Sequence, residues 1–158
     1  MPENHRPFRA SLLVSGVEAE RIFSALLDVR RFPEWASGVR RSRALDAAGR
    51  AETKDVLPGV RLEFSLSAAG LTHKIASTVT VVEPPHRLEW IYVEGAYGGG
   101  GWLVEEEGPG TVRITVSTDY RIRPAWLDKI AHKPFFRGLT EDLLRRSMHR
   151  FDVYLKKD

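Results

Sequence analysis

The sequence contains no cysteine, which excludes disulfide bridges, thiolate nucleophiles and cysteine-ligated metals. Long apolar runs are missing too: the longest stretches free of charge, such as Gly95 to Val104, reach only about half the length of a membrane-spanning helix. Met1 to Arg6 has no apolar run behind it and does not read as a secretory signal, so a cytoplasmic protein is the expectation. No Gly-x-Ser-x-Gly elbow, His-Glu-x-x-His pair, Gly-x-Gly-x-x-Gly turn or Walker loop is present. The five histidines lie far apart and show no metal-ligand spacing, so neither a metal nor a cofactor is expected. Charge of one sign is also scarce, with a formal net charge of only +3. Arg30-Arg31, Arg40-Arg41, Arg145-Arg146 and Lys156-Lys157 are scattered among acids, without the concentrated basic face of a nucleic-acid binder.

What remains is an ordinary globular composition. Over 158 residues, 42% hydrophobic and 28% charged, one domain spanning residues 1–158 is expected, burying roughly 70% of its unfolded surface. No internal repeat or linker interrupts it, and Gly98 to Gly101 is too short to separate domains. Arg6 to Ser15 alternates as a strand. Glu18 to Leu27 carries Ala19, Ile22, Phe23 and Leu26 at helical spacing. Asp28 is placed to cap a short helix over Val29 to Trp35 with its carboxylate.

A long β region follows. Val60, Leu62, Phe64 and Leu66 share one face, as do His73, Ile75, Ser77, Val79 and Val81, and then Leu88, Trp90 and Tyr92. Pro84-Pro85 and Gly108-Pro109-Gly110 mark turns, and Trp102 pairs in phase with Val104. Val112 to Ile122 alternates most cleanly, with Thr118 and Tyr120 on its apolar side and Arg113 and Arg121 opposite. Trp126 to Lys157 reads as helix, with a phase slip at Lys133 to Gly138 that predicts two helical pieces.

This order is α+β. A curved antiparallel sheet wrapped around the long terminal helix would leave space between the two, and the glycine run would let a strand bend. The segment Ile22 to Trp35 (IFSALLDVRRFPEW) is very similar to the helix-turn-helix signature of the START-like (SRPBCC) superfamily. Pro85-x-x-Leu88-x-Trp90 and Gly101-Trp102-Leu103-Val104 with Gly110 to Arg113 resemble the polyketide cyclase/dehydrase and lipid-transport family within it. The resemblance implies a helix-grip fold with a deep pocket between sheet and terminal helix. Its members include lipid and quinone carriers, aromatase/cyclases and chaperone activators, so it does not by itself choose an activity.

On that reading the ligand-binding candidates fall into three groups. Trp35, Phe64, Leu66, Ile75, Trp90 and Trp102 supply apolar wall. His73, Tyr92, Thr118 and Tyr120 supply polar groups that orient a ligand, and His73 with Tyr120 is the candidate catalytic pair. Phe135, Leu139 and Leu143 come from the terminal helix. There Phe135-Phe136, beside Lys129, Lys133 and Arg137, would form a lid or touch a membrane surface transiently during loading. The bland alternatives are packed core for the aromatics and local backbone bonding for His73. Arg41 and Arg43 share parity with Val39 and Leu45, which would aim one of them inward unless a bulge intervenes. The favoured function is binding or carrying a small hydrophobic or amphipathic ligand. A cofactor-independent cyclase or dehydratase and a chaperone-activator type of interaction module are the alternatives. Oligomeric state is not encoded in any recognisable pattern.

Overall fold

A computed structural model describes residues 7–68, 70–122 and 134–157, without the side chains of residues 68, 120, 122 and 134–140. The chain runs β1 (Phe8–Ser15), α1 (Ala19–Leu27), a 3₁₀ helix (Val29–Glu34) and β2 (Val39–Leu45). Then come β3 (Arg61–Ala68), β4 (Leu71–Glu83), β5 (Arg87–Glu94), β6 (Ala96–Gly108), β7 (Thr111–Ile122) and α2 (Pro134–Leu155). Every strand pairing is antiparallel and the order is β1-β7-β6-β5-β4-β3-β2, a curled half-barrel whose first strand returns beside its last. This is the helix-grip architecture. The alternation in β1 and β7 translates directly into pairs such as Ala10↔Val116 and Leu12↔Ile114, all on one face.

α1 buries the stripe of Ala19, Ile22, Phe23 and Leu26 against the sheet. It ends where the Asp28 N–H bonds back to the Ser24 and Ala25 carbonyls, and a 3₁₀ turn begins at once. Asp28 stands at the cap position, but its side chain makes no capping hydrogen bond, which corrects the expected role. Its backbone performs the junction instead. Pro33 lies near the end of this 3₁₀ helix, where its missing N–H prevents an i→i−3 bond and helps keep the helix short.

α2 packs along β1 and is pinned to the helical junction by polar bonds. The Ser147 hydroxyl donates to the Leu143 carbonyl at 2.8 Å and accepts the Ser37 N–H at 2.8 Å. Arg150 donates to the Glu34 carbonyl, and Arg21 of α1 donates to the carbonyls of Leu155 and Lys157 at the free end of α2. Those carbonyls have no partner within the helix, so the guanidinium closes its last turn. The helix runs unbroken from Pro134 through Gly138 to Leu155, so the break expected between Lys133 and Gly138 does not fall inside that stretch. A helical piece expected over 126–133 lies outside the described residues.

Two bulges decide the inward faces of β2 and β4, the second against the expectation from parity. The register shifts between Val39 and Arg41, which sends Ser42 and Ala44 inward and leaves Arg41 and Arg43 in solvent, Arg43 bonding Glu63 at 2.7 Å. A second shift between Val79 and Val81 places Val82, not the expected Val81, against the core. In both cases one extra residue reverses every side chain beyond it.

Candidate functional site

The inner face of the sheet has two differently treated ends. At one end α1, the 3₁₀ helix and the last turns of α2 seal it: Leu88, Val104, Ile114, Phe151 and Leu155 are fully buried. An aromatic cluster closes this end. Trp35 lies 4.6 Å from Phe32, 4.3 Å from Phe151 and 5.9 Å from Trp102, measured between ring centroids. Trp35 and Trp102, both candidates for a pocket wall, are thus placed in sealed core, at 1% and 8% exposure. The Trp35 indole N–H is buried there with no hydrogen-bond partner among the described residues.

Toward the other end the same face stays half-open. Phe64 stands opposite Ile75, and Leu66 opposite His73; all four are only partly buried. Trp90, Tyr92, Thr118 and, from α2, Leu143 are partly buried as well. Leu143 reaches Gly38 just before β2, where a methyl group on the glycine would come within 3.7 Å of it. Phe64 links the two ends through its ring contact with Phe32 at 5.6 Å.

Tyr92 and Thr118 are brought together, their hydroxyl oxygens 2.5 Å apart. The two residues sit on β5 and β7, with the whole of β6 between them. Neighbouring strands are separated by about 4.8 Å, so the tyrosine must reach over the middle strand. It can do so because β6 presents Gly98 and Gly100 there: Gly100 pairs with Trp90 on one side and Thr118 on the other. A Cβ on Gly100 would stand 2.7 Å from the Trp90 ring and 2.5 Å from the Ser117 carbonyl. The glycine run therefore makes a trough that leaves room for the Trp90 indole beside Gly100 and for Tyr92 to reach Thr118. Burial holds the Tyr92 hydroxyl above its ordinary pKa, its hydrogen bonds with Thr118 and Trp90 opposing this only in part. Tyr92 therefore stays protonated at neutral pH, a hydrogen-bond donor rather than a base.

His73 is held by the backbone. Its Nε2–H donates to the Gly95 carbonyl at 2.8 Å, which leaves Nδ1 as the remaining ring position. Gly95 turns the chain between β5 and β6 with φ +81°, a conformation that favours glycine. Tyr120, the expected partner of His73, pairs with Gly98 in β7, but its side chain lies outside the described ones, as do those of Phe135 and Leu139. Among the described residues no cluster of three metal-ligating side chains occurs, and no helix is long and apolar enough to cross a membrane.

A concavity away from the inner face was not anticipated from sequence. A groove of about 1020 Å³ opens on the solvent side of α1, bounded by the 3₁₀ helix, Thr53-Lys54 and the end of α2. None of the residues singled out as ligand-binding lines it.

The backbone has close counterparts among solved structures. It superimposes on a protein from Thermus thermophilus with a TM-score of 0.75 at 13% identity, covering 94% of this chain and 96% of that one. A START superfamily protein from Mycobacterium smegmatis gives 0.70 at 14% identity, with 96% and 97% covered. An aromatase/cyclase from Streptomyces sp. R1128 gives 0.71 at 11% identity, with 96% and 93% covered. At these identities the likeness establishes the fold alone. No curated protein sequence matches this one. The sequence model that does match, over residues 8–156, is that of polyketide cyclase/dehydrase and lipid transport, and the chain belongs to that family.

Proposed function

We propose that this protein binds a small hydrophobic or amphipathic molecule, a lipid, quinone, isoprenoid or polyketide-like compound, against the half-open end of the inner face. The observation that carries this reading is the unequal sealing of one continuous apolar face. Val79 and Leu88 are buried, while Phe64, Leu66, Ile75 and Trp90, on the same face, keep part of their surface free. A face built only for stability would be covered along its length, since each apolar Å² left in water forgoes about 25 cal/mol. A ligand covering this surface would recover that free energy, less the cost of its own ordering. Beside His73, the Tyr92–Thr118 pair supplies a second polar point in a largely apolar wall, suited to a ligand carbonyl or hydroxyl oxygen.

A second reading, a cofactor-independent cyclase or dehydratase, is favoured by that same hydroxyl pair. A neutral phenol beside a second hydroxyl could polarise a carbonyl, and structural neighbours include the aromatase/cyclase from Streptomyces sp. R1128. This reading assigns the donor to Tyr92 rather than to His73, whose Nε2 is engaged by the backbone.

Native mass spectrometry of the purified protein, followed by denaturation and identification of released molecules, tests the binding reading. A stoichiometric lipid, quinone or polyketide-like compound is the expected result. Protein that emerges empty and fails to bind a panel of such compounds would overturn it in favour of an interaction module. Conversion of a bound polyketone to a cyclised or dehydrated product would move the second reading ahead of the first.

A further inference from the structure

The groove outside α1 combines an apolar floor with a cationic rim. Ala25 and Leu27 of α1 and the ring of Tyr154 provide the floor. Among the described residues, five basic side chains line it against two acidic ones, Asp28 and Glu34. Three of the five are already engaged. Arg31 lies 5.8 Å above the Tyr154 ring and grips Glu34 through two bonds, at 2.6 and 3.1 Å. Arg21 is committed to the terminal carbonyls of α2. Arg30 stands 3.9 Å from Glu52, a loose and exposed pair. The other two, Lys54 and Lys157, make no ion pair among the described residues, and both line the same opening. The Arg21 clamp ties α1 to the end of α2, and Arg31 over the Tyr154 ring ties the 3₁₀ helix to α2.

We infer that this groove is a second ligand site, for a small soluble organic anion that carries a phosphate, sulfate or carboxylate on an apolar or aromatic body. The two lysines meet the anionic group, while Tyr154, Ala25 and Leu27 cover the body. Each half of such a ligand is matched by a different part of the groove, so neither a bare anion nor a neutral hydrophobe satisfies it. A volume of about 1020 Å³ is at the upper end of the range of small-molecule sites. Among the described residues the half-open inner face offers no comparable pair of cations, so the two sites select ligands of different charge.

Phenyl phosphate is a suitable probe, titrated into the full chain and followed by backbone amide NMR shifts. Saturable shifts are expected at Ser24 to Asp28, at Thr53-Lys54 and at Tyr154 to Lys157, weakening as salt is added. Inorganic phosphate and phenol, tested separately, should each bind at least about tenfold more weakly, since each lacks half of the recognition. The double variant Lys54→Glu with Lys157→Glu should lose about tenfold or more in affinity while keeping its melting temperature, because both side chains are exposed and make no ion pair among the described residues. Tyr92→Phe should bind the probe unchanged. Absence of saturable shifts, equal binding of inorganic phosphate, or shifts confined to Ile75, Tyr92 and Thr118 would each overturn the inference.

Discussion

Tyr92 illustrates how a single side chain acquires its chemistry from strands that are remote in sequence. Its hydroxyl is buried and shared with Thr118, and burial raises its pKa above the ordinary value of 10.0. A raised pKa means that the folded state holds the proton more tightly than the unfolded chain does. The resulting stability is complete below the unfolded pKa and is lost as pH rises from about 10 toward the folded value. Urea denaturation across that window should therefore show wild type losing stability more steeply than Tyr92→Phe. Parallel curves would mean that Tyr92 ionises freely. The same variant removes the proposed donor to the ligand, so its ligand affinity at neutral pH reads the hydrogen bond separately from the titration. His73 makes the contrasting case: its inward parity was legible in sequence, but the Gly95 carbonyl that occupies its Nε2 belongs to a turn more than twenty residues away.

Among the elements, β6 is the most unusual, because it contributes shape by having almost no side chains in its first half. From Tyr97 it reads Gly-Gly-Gly-Gly before Trp102, and Trp90, Tyr92 and Thr118 all use the space. Gly100→Ala tests this directly. The added methyl would meet the Trp90 ring at 2.7 Å and the Ser117 carbonyl at 2.5 Å, and the carbonyl cannot move without disturbing the ladder. A loss of about 1–3 kcal/mol in unfolding free energy is expected, together with a change in Trp90 fluorescence. An unchanged stability would show that the trough is not needed for packing. α1 and the 3₁₀ helix are similarly economical: one face seals the aromatic cluster around Trp35, and the other borders the cationic groove.

For the molecule as a whole, the decisive feature is that two ends of one apolar face meet different partners. Trp35, Phe151 and Trp102 close one end, while Phe64, Leu66 and Ile75 remain half-open at the other. Ile75→Trp should fill the open end without disturbing the sealed one. Ligand affinity should fall about tenfold or more, with the melting temperature within a few degrees of wild type. Isothermal titration with whatever compound co-purifies provides the measurement. Undiminished affinity would place the ligand elsewhere. The cationic groove is unaffected by this change, so the two proposed sites can be separated in a single set of variants.

Local spacing along the chain dictates the order of elements, the antiparallel character of the sheet and the apolar face of the strands without bulges, because these depend on period-two and helical repeats within a dozen residues. The segment Ile22 to Trp35 and the Pro85-x-x-Leu88-x-Trp90 pattern also carried the family. Folding in three dimensions supplies what local periodicity cannot hold. The bulges near Arg41 and Val81 reverse parity by one residue, so Arg41 and Arg43 face solvent and Val82 replaces Val81. The pairing of Tyr92 with Thr118 requires two strands and the glycine trough between them. The cationic groove draws Arg21, Lys54 and Lys157 from three separate parts of the chain, and charges that distant show no common pattern until folding brings them to one rim.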